Sequence, residues 1–155
     1  MNILFTNAGR RTYLIQYALD LKKHGYDIDV FVCDTTIDTA TMHISPDIKS
    51  FITPRVSEGE ENYLDILLQQ CVNNDIKVII PLMDFELPVL AKNKSRFEKQ
   101  GIKIWVSDYH IILNCLNKKN NVDFCKINYI PLPESYFNTE TIKYPLVKKK
   151  IEGSG

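Results

Sequence analysis

The sequence closes on Pro145-Leu-Val-Lys-Lys-Lys-Ile-Glu-Gly-Ser-Gly155, which reads as a strand bearing lysines that runs into a glycine-rich loop. A lysine on a strand aims a cation at phosphate. The backbone N–H groups of Gly153, Ser154 and Gly155 can approach an anion with little or no side chain in the way. A second candidate anion site is Thr6-Asn-Ala-Gly-Arg-Arg11, where N–H groups and the dipole of the following helix favour negative charge and Arg10 and Arg11 add to it. This loop has one glycine where a G-x-G-x-x-G fingerprint has three, and it lacks the Walker A lysine, which argues against NAD. The alternative reading is that Gly9 only permits a tight turn and the arginines are solvated. Asp34 ends an apolar run 25 residues beyond Gly9, where a dinucleotide-binding protein keeps its ribose acid; a cap or turn former is the other reading. Pro81-Leu-Met-Asp84-Phe-Glu86 carries two carboxylates expected to face one crevice. They would hold an amine or hydroxyl of a substrate, with capping of the next helix as the competing role.

These residues need a scaffold, and the periodicity supplies one. Residues 1–6 form a short β run, followed by Tyr13, Leu14, Tyr17, Ala18 and Leu21 at helical spacing, closed by His24-Gly25. Strands are predicted over 28–33, 50–53, 78–81 and 103–107, and helices over 60–74 and 87–100; residues 35–49 are polar and irregular. Near-continuous apolar strands alternating with amphipathic helices predict an α/β, Rossmann-like doubly wound parallel sheet over residues 1–110. Ligands in such sheets bind beyond the carboxyl ends of the strands, where the loops after the first, second and fourth strands lie. From 111 to 128 the sequence reads as helical.

At 155 residues the chain has room for one sizeable domain and little more. Lys+Arg and Asp+Glu both number 19, so no broad attraction to nucleic acid or a membrane surface is expected. No apolar run approaches the ~20 residues of a membrane span, and no secretory signal precedes the first strand. Cys33, Cys71, Cys115 and Cys125 show no C-x-x-C pairing, and His24, His43 and His110 are scattered. Cys33 and Cys71 fall at apolar positions of a predicted strand and helix, where reduced, buried thiols in a cytoplasmic protein are expected, and no zinc site is expected. No catalytic residue emerges from these patterns.

Five segments, in order, resemble the ATP-grasp ligases, in particular those similar to the large chain of carbamoyl-phosphate synthase. Asn2-Ile-Leu-Phe-Thr-Asn-Ala-Gly-Arg-Arg-Thr-Tyr resembles that family's first strand and loop, and Ile79-Ile-Pro-Leu-Met-Asp-Phe-Glu-Leu its acidic loop. Cys115-Leu-Asn-Lys118 is similar to its Cys-x-Asp-Lys, and Phe124, Pro131 and Pro133 fall at the spacing of its Phe-Leu-x-x-x-Gly-Ile-Pro-x-Pro segment. Tyr144-Pro-Leu-Val-Lys-Lys-Lys-Ile-Glu-Gly-Ser-Gly is similar to its Tyr-Pro-Leu-Val-Val-Lys-Pro-Arg-x-Gly-Ser-Gly. Asn117 departs from the usual Asp, Tyr129 from Gly, and Lys148, Lys150 and Ile151 from Val, Pro and Arg.

The resemblance implies a pre-ATP-grasp domain at 1–110, a helical connector at 111–128 and the first strands of an incomplete ATP-grasp domain at 129–155. It implies an enzyme that joins a carboxylate to an amine through an acyl phosphate, with ATP and Mg2+. Lys149 and Lys118 would then face the nucleotide, and Gly153, Ser154 and Gly155 would begin the loop over the phosphates. Asn7, Gly9, Arg10, Asp34, Asp84 and Glu86 would form the substrate crevice. The magnesium ligands and the substrate-clamping arginine would come from later segments, so the chain is expected to be the front part of a larger enzyme and inactive alone. The rest of the ATP-grasp domain, in the same or another chain, would be its partner, and an incomplete sheet also invites pairing with a second copy.

The reading of a different class is a non-catalytic Rossmann-like module that binds a nucleotide or docks on a partner. On either reading, strands without neighbours bury too little to offset the entropy of ordering them. Fast amide hydrogen exchange is therefore expected at residues 148–151 in the isolated monomer. Strong protection there would contradict it.

Overall fold

The computed structural model describes residues 1–138 and 142–152. It divides into two units, Met1–Val106 and Ser107–Gly155.

The first unit is built on a five-stranded sheet: β1 (Asn2–Thr6), β2 (Asp29–Asp34), β3 (Lys49–Ile52), β4 (Ile76–Pro81) and β5 (Lys103–Ile104). The spatial order is β3-β2-β1-β4-β5 and every pairing is parallel. Order reverses between β1 and β4, which makes their carboxyl ends the topological switch point, the place where such sheets take ligands. The expected doubly wound sheet is therefore present.

Alternation along the strands feeds two cores, because successive side chains point to opposite faces. Leu4, Phe31, Cys33 and Ile79 pack on one face with Tyr63, Leu64, Leu67 and Cys71 of α2 (Glu60–Asn73). Val89 and Leu90 of α3 (Leu87–Lys92) and Phe97 of α4 (Lys94–Glu98) complete that core. Phe5, Val30 and Val32 pack on the other face with Ile15, Ala18 and Leu19 of α1 (Thr12–Lys23). Arg96 pairs with both Glu61 and Asp65, tying α4 to α2.

Two expectations change. The single helix over 87–100 is two helices, because Asn93 ends α3 by turning its Nδ2 back to Val89 O at 2.9 Å while its own carbonyl accepts from Arg96 N. An Asn side chain that competes for backbone partners does this, and the apolar spacing continues across the break, which hides it. The strand over 103–107 shortens to two residues plus one ladder bond from Trp105 N to Ile79 O at 2.8 Å.

The second unit holds α5 (Tyr109–Leu116) and α6 (Lys118–Ile127). Asn117 caps α6 by accepting from Lys119 N and Asn120 N, both at 3.1 Å, so the departure from Asp keeps the capping oxygen. Among the described residues of this unit no β-strand forms, so the strand expected over 145–151 is not present. A strand is held by a ladder, and no described segment of this unit offers one.

Cys33 and Cys71 are buried and free, and burial pushes both thiols up, Cys71 to about 12. They are inert core residues, as the sequence suggests. Leu67, fully buried between α2 and the sheet, carries the test of this packing. Leu67→Ala should cost about 2–5 kcal/mol in urea unfolding, against less than about 0.5 kcal/mol for exposed Gln69→Ala.

Candidate functional site at the switch point

The loop after β1 begins with Asn7, whose φ of 48° lies in the left-handed region that Asn tolerates better than most residues. This bend lets Ala8 N reach Cys33 O and turns Gly9 toward the end of β2. Gly9 N donates to Asp34 Oδ2 at 2.9 Å, and a Cβ on Gly9 would stand 2.8 Å from that oxygen and 3.1 Å from Thr39 Cγ2. The glycine is thus required for close approach. Asp34 Oδ1 accepts from Thr35 N at 2.7 Å. Asp34 accordingly works as the turn former that joins the β1 and β2 loops.

The acidic loop after β4 separates its two carboxylates. Asp84 is exposed beside exposed Phe85, whereas Glu86 is fully enclosed. Glu86 Oε2 accepts from Asn7 Nδ2 at 2.7 Å and from Tyr63 Oη at 2.8 Å. Its Oε1 accepts from Leu82 N at 3.0 Å and Met83 N at 3.1 Å. The expectation that both acids face one crevice is therefore corrected: Glu86 turns inward because its partners lie inside, and only Asp84 stays outside. A buried carboxylate survives when its lone pairs are filled, and these are.

Burial pushes the Glu86 carboxyl up, and the donors from Tyr63, Asn7 and Met83 pull it back toward the ionised form. Thr6 Oγ1 is enclosed without a hydrogen-bond partner among the described residues. Burial and the neighbouring carboxylate raise the Tyr63 phenol far above its usual range, so Tyr63 remains an O–H donor.

The sequence expectations sort accordingly. Asn7, Gly9, Asp34 and Glu86 are brought together as one hydrogen-bonded frame around the switch point. Arg10, Arg11 and Asp84 remain exposed and available to a ligand. A separate cleft of about 310 Å3, lined by Thr35, Ile52, Thr53, Pro54, Arg55, Glu58 and Ile66, contains none of the expected site residues. Sequence reasoning misses Tyr63 as a site residue. Its signal is a lone hydroxyl on an otherwise apolar helix face, which must find a partner when buried.

In the second unit, Lys118 N donates to Ile151 O at 2.9 Å and Asn117 Nδ2 to Glu152 Oε1 at 3.2 Å. The segments carrying Lys118 and Lys149 are therefore adjacent. Gly153, Ser154 and Gly155 lie outside the described residues. Among the described residues no group of three or more His, Cys, Asp or Glu could hold a metal ion, and no helix is long and apolar enough to cross a membrane.

The raised Glu86 carboxyl fixes a pH dependence. A folded-state value above the ordinary one contributes stability below the ordinary value of 4.5, and that contribution is lost as pH rises through the raised value. Wild type should lose stability relative to Glu86→Gln as pH rises through this window, and the relative stability should then level off. Denaturant midpoints measured across it check the sign.

No curated protein matches the chain. Its fold is similar to that of an L-amino acid ligase from Bacillus licheniformis, with a TM-score of 0.68 at 19% identity over 98% of this chain. The chain spans 37% of that ligase's length. Yeast methylglyoxal/isovaleraldehyde reductase Gre2, complexed with NADPH, aligns over 83% of this chain and 50% of its own at 13% identity and a TM-score of 0.47. The family model for the PylC-like N-terminal domain matches residues 3–105, which is nearly the whole sheet and the frame around its switch point, and the chain belongs to that family.

Proposed function

We propose that the chain supplies the N-terminal part of an ATP-dependent carboxylate–amine ligase. The observation that carries this reading is the family match over residues 3–105, set beside a fold similar to that of an amino acid ligase. The reaction class is the joining of a carboxylate to an amine, with a phosphoryl group from ATP activating the carboxylate as an acyl phosphate.

This chain's own contribution is binding and orientation. Arg10 and Arg11, exposed in the β1 loop, suit a substrate carboxylate, and exposed Asp84 suits an ammonium. Gly9, Asp34 and Glu86 hold the loops that carry them. Lys118 and Lys149 fit ATP phosphates, since the backbone bond from Lys118 to Ile151 brings their segments together. The described residues do not fit Mg2+, whose ligands on this reading belong to an ATP-grasp domain elsewhere in the same or a partner chain. Reduced thiols at Cys33 and Cys71 support a cytoplasmic setting.

A second reading, a non-catalytic binding module, is favoured by one observation: Asp34 and Glu86 direct their oxygens to this chain's own donors. Turnover separates the two. ADP release by the natural full-length protein, assayed against panels of carboxylates and amines, should depend on one substrate pair and fall by about 100-fold or more in Lys149→Ala. Absence of ADP release with every pair, in a protein that still binds ATP, favours the module.

A further inference from the structure

The amide of Asn7 has two chemically different ends, and its surroundings decide which end is available. Glu86 Oε2, 2.7 Å away, is a carboxylate oxygen already receiving the Tyr63 hydroxyl, and its partner Oε1 receives two backbone N–H groups. An acceptor with these neighbours takes the nitrogen end of Asn7. The oxygen end is thereby fixed on the other side. Among the described residues it accepts no hydrogen bond, and it is not one of the enclosed polar atoms without partners, which are Thr6 Oγ1, Thr53 Oγ1 and Tyr136 Oη. Asn7 is buried, at 7% exposure, and its Oδ1 is thus an oriented acceptor at the margin of that burial, immediately beyond the central strand, at the switch point.

We propose that Asn7 Oδ1 is a ligand-binding acceptor for an N–H donor, the amine or ammonium of the nucleophilic substrate, and that Glu86 is the positioning residue that sets its polarity. The assignment of the donor to the amine rests on the ligase reading above; the polarity of the amide does not. The arrangement makes Glu86→Gln an inverting substitution. The introduced amide would keep its oxygen toward Leu82 N and Met83 N and would present its NH2 to Asn7. The Asn7 amide would then turn over and offer its own NH2 to the crevice. Tyr63→Phe removes one donor from Glu86 but leaves the acceptor that orients Asn7.

The test uses the natural full-length protein and two readouts. In side-chain amide NMR, the Asn7 NH2 should exchange at least ~10-fold more slowly in wild type and Tyr63→Phe than in Glu86→Gln, because the hydrogen bond to the carboxylate is lost only in the last. Equal exchange in all three overturns the positioning role. In turnover, Asn7→Ala and Glu86→Gln should each raise KM for the amine ~10-fold with KM for ATP nearly unchanged, and Tyr63→Phe should raise it much less. Leu67→Ala, destabilised but remote from the loops, should leave the amine KM alone. An amine KM unchanged in Asn7→Ala overturns the binding role. If wild type turns over no substrate pair, the ligase reading falls. Titration with amino acid methyl esters then decides, an Asn7 amide resonance that moves supporting the acceptor and one that stays fixed overturning it.

Discussion

The arrangement of the loops at the switch point depends on one buried carboxyl group. Glu86 lies beyond β4, yet its four donors come from the β1 loop, from helix α2 and from its own turn. The sheet reverses its order between β1 and β4, so no covalent connection runs across that junction at the carboxyl end. Glu86 bridges it. Loss of any one donor leaves an enclosed charge short of a partner, which costs more than the hydrogen bond itself contributes. That asymmetry holds the loops in one arrangement, and the Gly9–Asp34 bond extends the arrangement to β2.

The division of labour follows from burial. Acids whose oxygens are filled from within, Asp34 and Glu86, set shape, while groups left outside, Arg10, Arg11 and Asp84, are free to meet a ligand. Residues of one chemical type in one short loop thus take opposite placements, Glu86 enclosed and Asp84 exposed. Asp84 and Glu86 stand two residues apart, and the donors that meet Glu86 inside set them apart.

The sheet was legible in the sequence because its strands are near-continuous apolar runs and its helices carry apolar residues at a spacing of three and four. The frame was only half legible. Asn7, Gly9, Asp34 and Glu86 stood out by type and position, but the inward turn of Glu86 is set by Tyr63, 23 residues earlier, and Asn7, 79 residues earlier. Pairing across such separations leaves no mark in local periodicity. The need for glycine at position 9 is of the same kind, since it arises from the Asp34 oxygen that a Cβ would strike. The break at Asn93 was hidden because Val89, Leu90 and Phe97 keep the helical spacing across it. The unformed strand at 145–151 shows the reverse case, a local β pattern without a neighbour to pair with among the described residues.

Family and fold place this frame in a PylC-like N-terminal domain, and the account built on it makes the loops beyond β1 and β4 the place where substrate is held. On the proposed ligase reading, the decisive measurement is a crystal structure of the natural full-length protein with a non-hydrolysable ATP analogue and the amine that supports turnover. The account predicts an amine nitrogen within hydrogen-bond distance of Asn7 Oδ1, with Glu86 still enclosed and bound to Asn7, Tyr63, Leu82 and Met83. An amine bound away from both loops, or held directly by Glu86, would contradict it.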